Sequence, residues 1–151
     1  MTLNLEVPII ALALLLAPFA ASAQSPPPDT EPMKILVHIT HGPEAPTRAA
    51  LGFHVAKAAL DEGHTVTVFL AGDAVQLLRQ GTLDQLTGLG TGELRGLFDA
   101  LVAGGADFYL SGGSSRARGL TEADLGDLAV TFASPAELVR LAVEHDRMFT
   151  Y

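Results

Sequence analysis

Short apolar runs alternate along this chain with longer stretches whose apolar residues recur at helical spacing. Lys34–Ile39 and Thr65–Leu70 are apolar runs of strand length, and the second is rich in β-branched residues. Between them, residues 47–62 place alanine, phenylalanine and leucine side chains on one helical face, and Gly63 supplies a helix end. This region therefore predicts a strand, a helix and a second strand.

The same alternation continues to the end of the chain. After the second strand we expect a short helix over 73–80, a glycine-rich loop over 81–92 and a helix with Leu94, Leu97, Phe98 and Leu101 on its inner face. A strand over 107–110, a Ser/Gly turn and a short helix over 121–128 should follow. The chain should end with a strand over 129–133, a helix after the capping box at 134–137 and an edge strand over 147–151. Strands that alternate with helices imply a parallel sheet, and continuously apolar strands imply burial on both faces. The sequence therefore predicts an α/β fold, a single three-layer α/β/α domain over 33–151 with a mainly parallel sheet of about five strands.

The composition permits this fold and excludes several classes of protein. The 151 residues suffice for one domain with its own core, and 48% hydrophobic with 17% charged residues excludes a disordered chain or a coiled coil. The net charge of −8 argues against nucleic acid or an anionic membrane as partner, because both bind basic surfaces. The chain has no cysteine, so disulfides, thiol chemistry and cysteine-based metal sites are excluded.

The amino-terminal residues have the pattern of a secretory signal peptide. Residues 7–23 are apolar and end in the small-x-small sequence Ala21-Ser22-Ala23, which predicts a signal peptide over 1–23 that is cleaved near Ala23. Residues 24–32 then form a proline-rich linker. We expect the mature chain in the periplasm of a bacterium or outside the cell, with no stable membrane span. An uncleaved anchor is the alternative, because the leading segment lacks lysine and arginine.

Candidate site residues follow from the predicted sheet, because parallel sheets expose their working groups at the carboxyl ends of the strands. The most informative segment is FYLSGGSSRARG at 108–119. The candidate ligand-binding residues at the strand ends are His41, Gly42, Asp73, Ser111, Gly112, Gly113, Ser114, Arg116 and Arg118. Glycine lets backbone N–H groups approach a ligand and arginine matches oxyanions, so this segment suggests an anion cradle. A tight surface loop with two solvated arginines is the alternative interpretation.

The histidines argue against a metal site. His38 and His41 lie three residues apart on an extended chain and so point to opposite faces, and no carboxylate with ligand spacing accompanies them. We expect His38 to be a core histidine hydrogen-bonded to the backbone, and His41 to lie at the mouth of the crevice. His54 is expected within a helix, His64 at the opposite edge of the sheet, and His145 at a helix carboxyl end.

Ser111 permits two interpretations. As a nucleophile it would need His41 as a base within about 3.2 Å, yet its surroundings do not match the G-x-S-x-G elbow of hydrolases. As a turn residue it would hydrogen-bond its own backbone, and the pattern favours this interpretation.

Three blocks carry a family resemblance: KILVHITHGPEAPTRAALGFHVAKAALDEGHTVTVFLAGDAV, LFDALVAGGADFYLSGGSSRARG and ASPAELVRLAVEHDRMFTY. In these blocks the chain resembles DsrE-like domains of the DsrE/DsrF/DsrH sulfur-relay superfamily, over residues 33–151. The resemblance implies a flavodoxin-like sheet and a homo-oligomer, a trimer or hexamer. It also implies persulfide transfer between cysteines in active members. Ser111 aligns with the acceptor cysteine, and a serine hydroxyl cannot carry a persulfide.

These observations favour a function without catalysis. We expect an exported DsrE-like protein without sulfurtransferase chemistry, which binds a small molecule, an anion or a protein partner at the crevice and needs no cofactor or metal. One alternative is a hydrolase or transferase that uses His41 and Ser111. The other is a structural or assembly subunit with a vestigial site.

Overall fold

The structure, a computed structural model, describes residues 31–151. Its strands and helices in chain order are β1 (Lys34–Ile39), α1 (Pro46–Asp61), β2 (Thr65–Leu70), β3 (Thr87–Gly88), β4 (Gly92–Glu93), α2 (Leu94–Ala103), β5 (Asp107–Ser111), α3 (Gly112–Ala117), β6 (Thr131–Ala133), α4 (Pro135–Glu144) and β7 (Arg147–Thr150). Short 3₁₀ segments lie at Gly72–Leu78, Leu83–Gln85 and Glu122–Asp124. The predicted signal peptide and most of the predicted linker fall outside the described residues.

Five strands form one parallel sheet in the order β6-β5-β2-β1-β7. Val37 of β1 lies opposite Val68 of β2 on one side and opposite Phe149 of β7 on the other. Strands β2 and β5 pair with Val68 opposite Phe108, and β5 pairs in the same direction with the short strand β6. All five carboxyl ends therefore lie along one edge, which confirms the predicted α/β fold with a parallel sheet.

Helices cover both faces of this sheet. Val37 faces the larger core cluster, to which α1 contributes Phe53 and α2 contributes Phe98. Its neighbour Leu36 points to the opposite face and packs with Leu141 of α4, because successive strand residues alternate between faces. Burial on both faces explains why the central strands β1 and β2 are mostly apolar, whereas the edge strand β7 is exposed along its length. Within residues 31–151, no helix combines the length and the apolar character that a membrane span requires.

Helix starts follow the local sequence signals. Helix α1 begins at Pro46, whose fixed φ suits the first helical position and whose missing N–H would have no partner there. Helix α4 begins after Ser134, whose Oγ accepts a hydrogen bond from Glu137 N at 3.2 Å. This is the serine half of the predicted capping box. The Glu137 carboxylate, which in a capping box would accept from the backbone N–H of Ser134, forms an ion pair with Arg140 instead.

Several segments differ from their predicted form. The helix expected over 73–80 is a 3₁₀ segment at Gly72–Leu78, in which a three-residue period sends pairs such as Ala74 and Leu77 into the core. The loop expected over 81–92 contains the two-stranded hairpin β3–β4. The helix expected over 121–128 is reduced to the 3₁₀ turn Glu122–Asp124, in which Asp124 Oδ2 accepts hydrogen bonds from the backbone N–H and the hydroxyl of Thr121. The Ser/Gly turn after β5 is the short helix α3.

Candidate functional site

The loops that follow β1 and β2 meet closely at the carboxyl edge of the sheet. Ala74 N donates to Thr40 O at 3.3 Å and joins the two loops. A Cβ at Gly42 would lie 2.5 Å from the carbonyl carbon of Asp73, so only glycine fits there. Gly42 N also donates to the Glu44 carboxylate, at 2.9 and 3.1 Å. The lack of a side chain at Gly42 therefore allows the backbones of the two loops to approach each other.

Asp73 and Arg118, both predicted site residues, form an ion pair across this edge. Arg118 Nε lies 2.8 Å and its Nη2 2.7 Å from Asp73 Oδ1, and Arg118 Nη1 donates to Ser114 O at 3.3 Å. The two side chains are 27% and 48% exposed, so solvent weakens the pair to about 0–1 kcal/mol. Its main effect is positional, because it ties the loop after β2 to the end of α3.

Ser111 and Ser114 each bond to the backbone. Ser111 Oγ accepts a hydrogen bond from Ser114 N at 3.3 Å and so caps the first turn of α3. Ser114 Oγ accepts a hydrogen bond from Gly72 N at 2.9 Å. The Ser111 hydroxyl thus bonds the backbone, as the turn interpretation expected, although the segment it starts is helical. The sequence signal for this helix was Ser111 itself, because serine is a favoured N-cap residue; the segment was instead expected to be a turn.

His41 lies at the edge but does not contact Ser111. Its Nε2 lies 2.9 Å from Arg48 Nη1, and its Nδ1 lies 3.5 Å from Thr40 Oγ1. Because a guanidinium only donates, the Nε2 facing it is the unprotonated acceptor. Arg48 was missed from the sequence. The available signal was its place in the first turn of α1, which follows the loop that begins at His41.

The remaining predicted residues lie at the outer rim of the edge. Gly112 and Gly113 form the first turn of α3, and Gly113 is exposed. Arg116 is also exposed, and its guanidinium has no hydrogen-bond or ion-pair partner within residues 31–151. Of the two arginines of the predicted anion cradle, Arg118 is therefore held by Asp73, and Arg116 is available.

The prediction for His38 was wrong in one respect. The ring packs edge-on against Phe69 with centroids 5.8 Å apart, but its buried Nε2 has no hydrogen-bond partner among the described residues. Because burial disfavours the charged ring, the pKa of His38 is lowered. The backbone around His38 is already paired within the sheet, which leaves the ring no backbone partner.

The other histidines lie where the sequence placed them and have structural contacts. His145, at the end of α4, lies 2.6 Å from Leu141 O through Nδ1 and 2.9 Å from Thr67 Oγ1 through Nε2. Buried His64 accepts a hydrogen bond from Met33 N at 3.3 Å, at the amino ends of the strands. Exposed His54 reaches the hairpin at Thr91 O. No group of three or more metal-ligating side chains occurs in residues 31–151.

The sequence of the described domain matches a known family. The family model for the DsrE/DsrF-like family matches residues 33–151. The chain belongs to the DsrE/DsrF-like family. The match covers the whole described domain apart from its first two residues.

Two solved structures share this fold. The chain is similar to the ychN protein from E. coli, with 21% identity over 79% of this chain and 99% of that one, at a TM-score of 0.67. It is also similar to MTH1491 from Methanobacterium thermoautotrophicum, a protein of unknown function, with 19% identity over 79% of this chain and 99% of that one, at a TM-score of 0.63. No curated protein matches the chain. At these identities the likeness supports the fold alone.

Proposed function

We propose that this DsrE-like protein is exported and binds an oxyanion group at the carboxyl edge of its sheet, without sulfur-transfer chemistry of its own. The oxyanion is carried by a small molecule or by a protein partner. The observation that carries the proposal is the exposed guanidinium of Arg116, which has no ion-pair partner in the described domain, beside a rigid edge.

The local charge supports an anionic ligand. The charged side chains of the edge are three arginines and two carboxylates: Arg48, Arg116, Arg118, Glu44 and Asp73. The charged side chains of the loops after β1, β2 and β5 and of the helix turns that follow them therefore sum to one positive charge, in a chain whose net charge is −8. A local positive potential on an acidic protein attracts anions to that place and repels them elsewhere.

The absence of sulfur transfer is proposed from the chemistry of Ser111. Its hydroxyl accepts the Ser114 N–H, and the chain has no thiol that could carry a persulfide. A serine nucleophile would need a base, but His41 contacts Arg48 and Thr40. No described contact favours the hydrolase or transferase alternative, so we propose binding.

Export and self-association are part of the same proposal. The signal-peptide pattern at 1–23 supports export, and the intact mass of the chain from the cell envelope should correspond to a start at Gln24. Exposed apolar side chains on α4 and β7 support a homo-oligomer: Val139 is 63%, Val143 79% and Met148 40% exposed. Native mass spectrometry should then show a trimer or hexamer, and a monomer at all concentrations would contradict this part.

Titration calorimetry with sulfate and thiosulfate tests the proposed function. We expect saturable binding to the wild-type protein and an affinity about two- to fivefold weaker for Arg116→Gln, the loss expected for one exposed charge contact. Arg140→Gln is the matched control, because Glu137 and Glu144 already neutralise that arginine on α4. Equal affinities for the wild type and Arg116→Gln would overturn the proposal.

A further inference from the structure

A cavity lies beside the loop that precedes β6, away from the carboxyl edge. Its volume is about 340 Å³, and none of its lining residues belongs to the carboxyl edge. Residues 78–84 form one wall and residues 125–128 the other, with Arg95 of α2 at one end. Gln80 N donates to Asp124 O at 2.8 Å, which ties the two walls together. We call this cavity the loop cleft; the backbone bond indicates that it is preformed.

The floor of the loop cleft is apolar. Leu78, Leu83, Leu125 and Leu128 line it, and half-buried Leu128 offers most of the apolar surface that a ligand can reach, because the other three are at most 4% exposed. Cavities of this size hold small organic ligands, and an apolar floor favours a ligand with a hydrocarbon body. Leu128 also lines two further cavities on the other side of the loop, which leaves its side chain room to adjust to such a body.

The charged residues of the loop cleft indicate whether it binds an anionic or a cationic ligand. The charged residues that line it are two carboxylates, Asp84 and Asp127, and two guanidinium groups, Arg79 and Arg95. Both arginines also pair with carboxylates outside the lining, Asp124 and Asp99. Arg79 Nη1 lies 2.6 Å from Asp124 Oδ1, and Arg95 Nε lies 3.0 Å from Asp99 Oδ1. An anionic ligand would have to displace these carboxylates. Asp127 is exposed and has no ion pair within the described residues, so a cationic ligand finds a free partner.

We propose that the loop cleft binds a small organic cation, an ammonium group on an apolar body. The ammonium group pairs with Asp127 at the rim, and the hydrocarbon body lies on the leucine floor. This site is independent of the oxyanion edge, since the two use different residues and opposite charges. It adds a second ligand class to the protein.

Amide correlation spectra of the full domain, titrated with hexylammonium chloride, test the proposal. The amides of Gly81 and Gly126 line the cleft and should shift saturably, whereas sodium hexanoate should leave them unshifted. Asp127→Asn should weaken hexylammonium binding about two- to fivefold, the range for one exposed charge pair. Asp61→Asn is the matched control: it removes the same charge from α1, outside the cleft, and should not change the affinity.

Each other outcome contradicts the proposal. Equal binding of 1-hexanol would mean that the floor alone holds the ligand, and tighter binding of hexanoate would reverse the sign of the site. Absence of saturable shifts would remove the site. A loss of hexylammonium binding in Arg116→Gln would place the ligand at the strand edge instead of in the loop cleft.

Discussion

Replacing Gly42 by alanine tests how closely the loops after β1 and β2 meet. The added Cβ would lie 2.5 Å from the carbonyl carbon of Asp73, closer still to its oxygen, and 3.0 Å from Glu44 Oε2. Non-bonded carbon atoms prefer a separation of roughly 3.5–4.0 Å, so the two backbones must move apart by about 1 Å. Overpacking of this kind costs about 1–3 kcal/mol. We expect the upper half of that range, because the obstructing atoms belong to the backbone.

Urea denaturation measures this cost. With a slope of about 1–3 kcal/mol per molar, the midpoint for Gly42→Ala should fall by roughly 1 M. Gly96→Ala is the matched control, because outside its own helix no described atom lies within 4 Å of the added Cβ. Alanine there should stabilise α2 by about 0.5–1 kcal/mol. A midpoint for Gly42→Ala at or above the wild-type value would refute the close approach.

Two further changes probe the edge and the core. Ser111→Ala removes the cap of α3 and should lower the free energy of unfolding by about 1 kcal/mol, while Ser111→Thr should retain most of it; equal stability of all three proteins would contradict the capping role. His38→Phe removes a half-buried imidazole whose pKa is lowered in the folded protein. The stability that the neutral imidazole contributes is present above 6.5, the pKa of the histidine in the unfolded chain, and is lost as the pH falls through the lower pKa of the folded protein. In denaturation series, the stability of the wild type relative to His38→Phe should therefore decline as the pH falls below about 6.5, and a constant difference would contradict the assignment.

The fold could be predicted because its signals are local and repeated. Val66–Leu70 is apolar at every position except Thr67 and is buried throughout, since helices cover both faces of the sheet. The capping box predicted at 134–137 marks a helix start that the structure retains, with Ser134 as the cap. The segments at 72–78 and 112–117 were harder, because short helices rest on tertiary contacts rather than on intrinsic propensity.

The candidate site could be predicted only in outline. Position after a strand selected Asp73, Ser111 and Arg118, and the structure brings the loops that carry them together. Which arginine meets a carboxylate depends on side-chain geometry across 45 residues, and no sequence spacing encodes that pairing. Arg48 was missed for the same reason, since its contact with His41 depends on how α1 leaves the loop.

Locating a bound oxyanion in crystals tests the proposed function most directly. Selenate mimics sulfate and is identified by its anomalous scattering. We predict a selenate at the carboxyl edge of the sheet whose oxygens lie within hydrogen-bonding distance of the Arg116 guanidinium, and a clearly weaker selenium peak in Arg116→Gln crystals soaked at the same concentration. Selenate bound elsewhere with the carboxyl edge empty, or an unchanged peak in Arg116→Gln, would contradict the proposal.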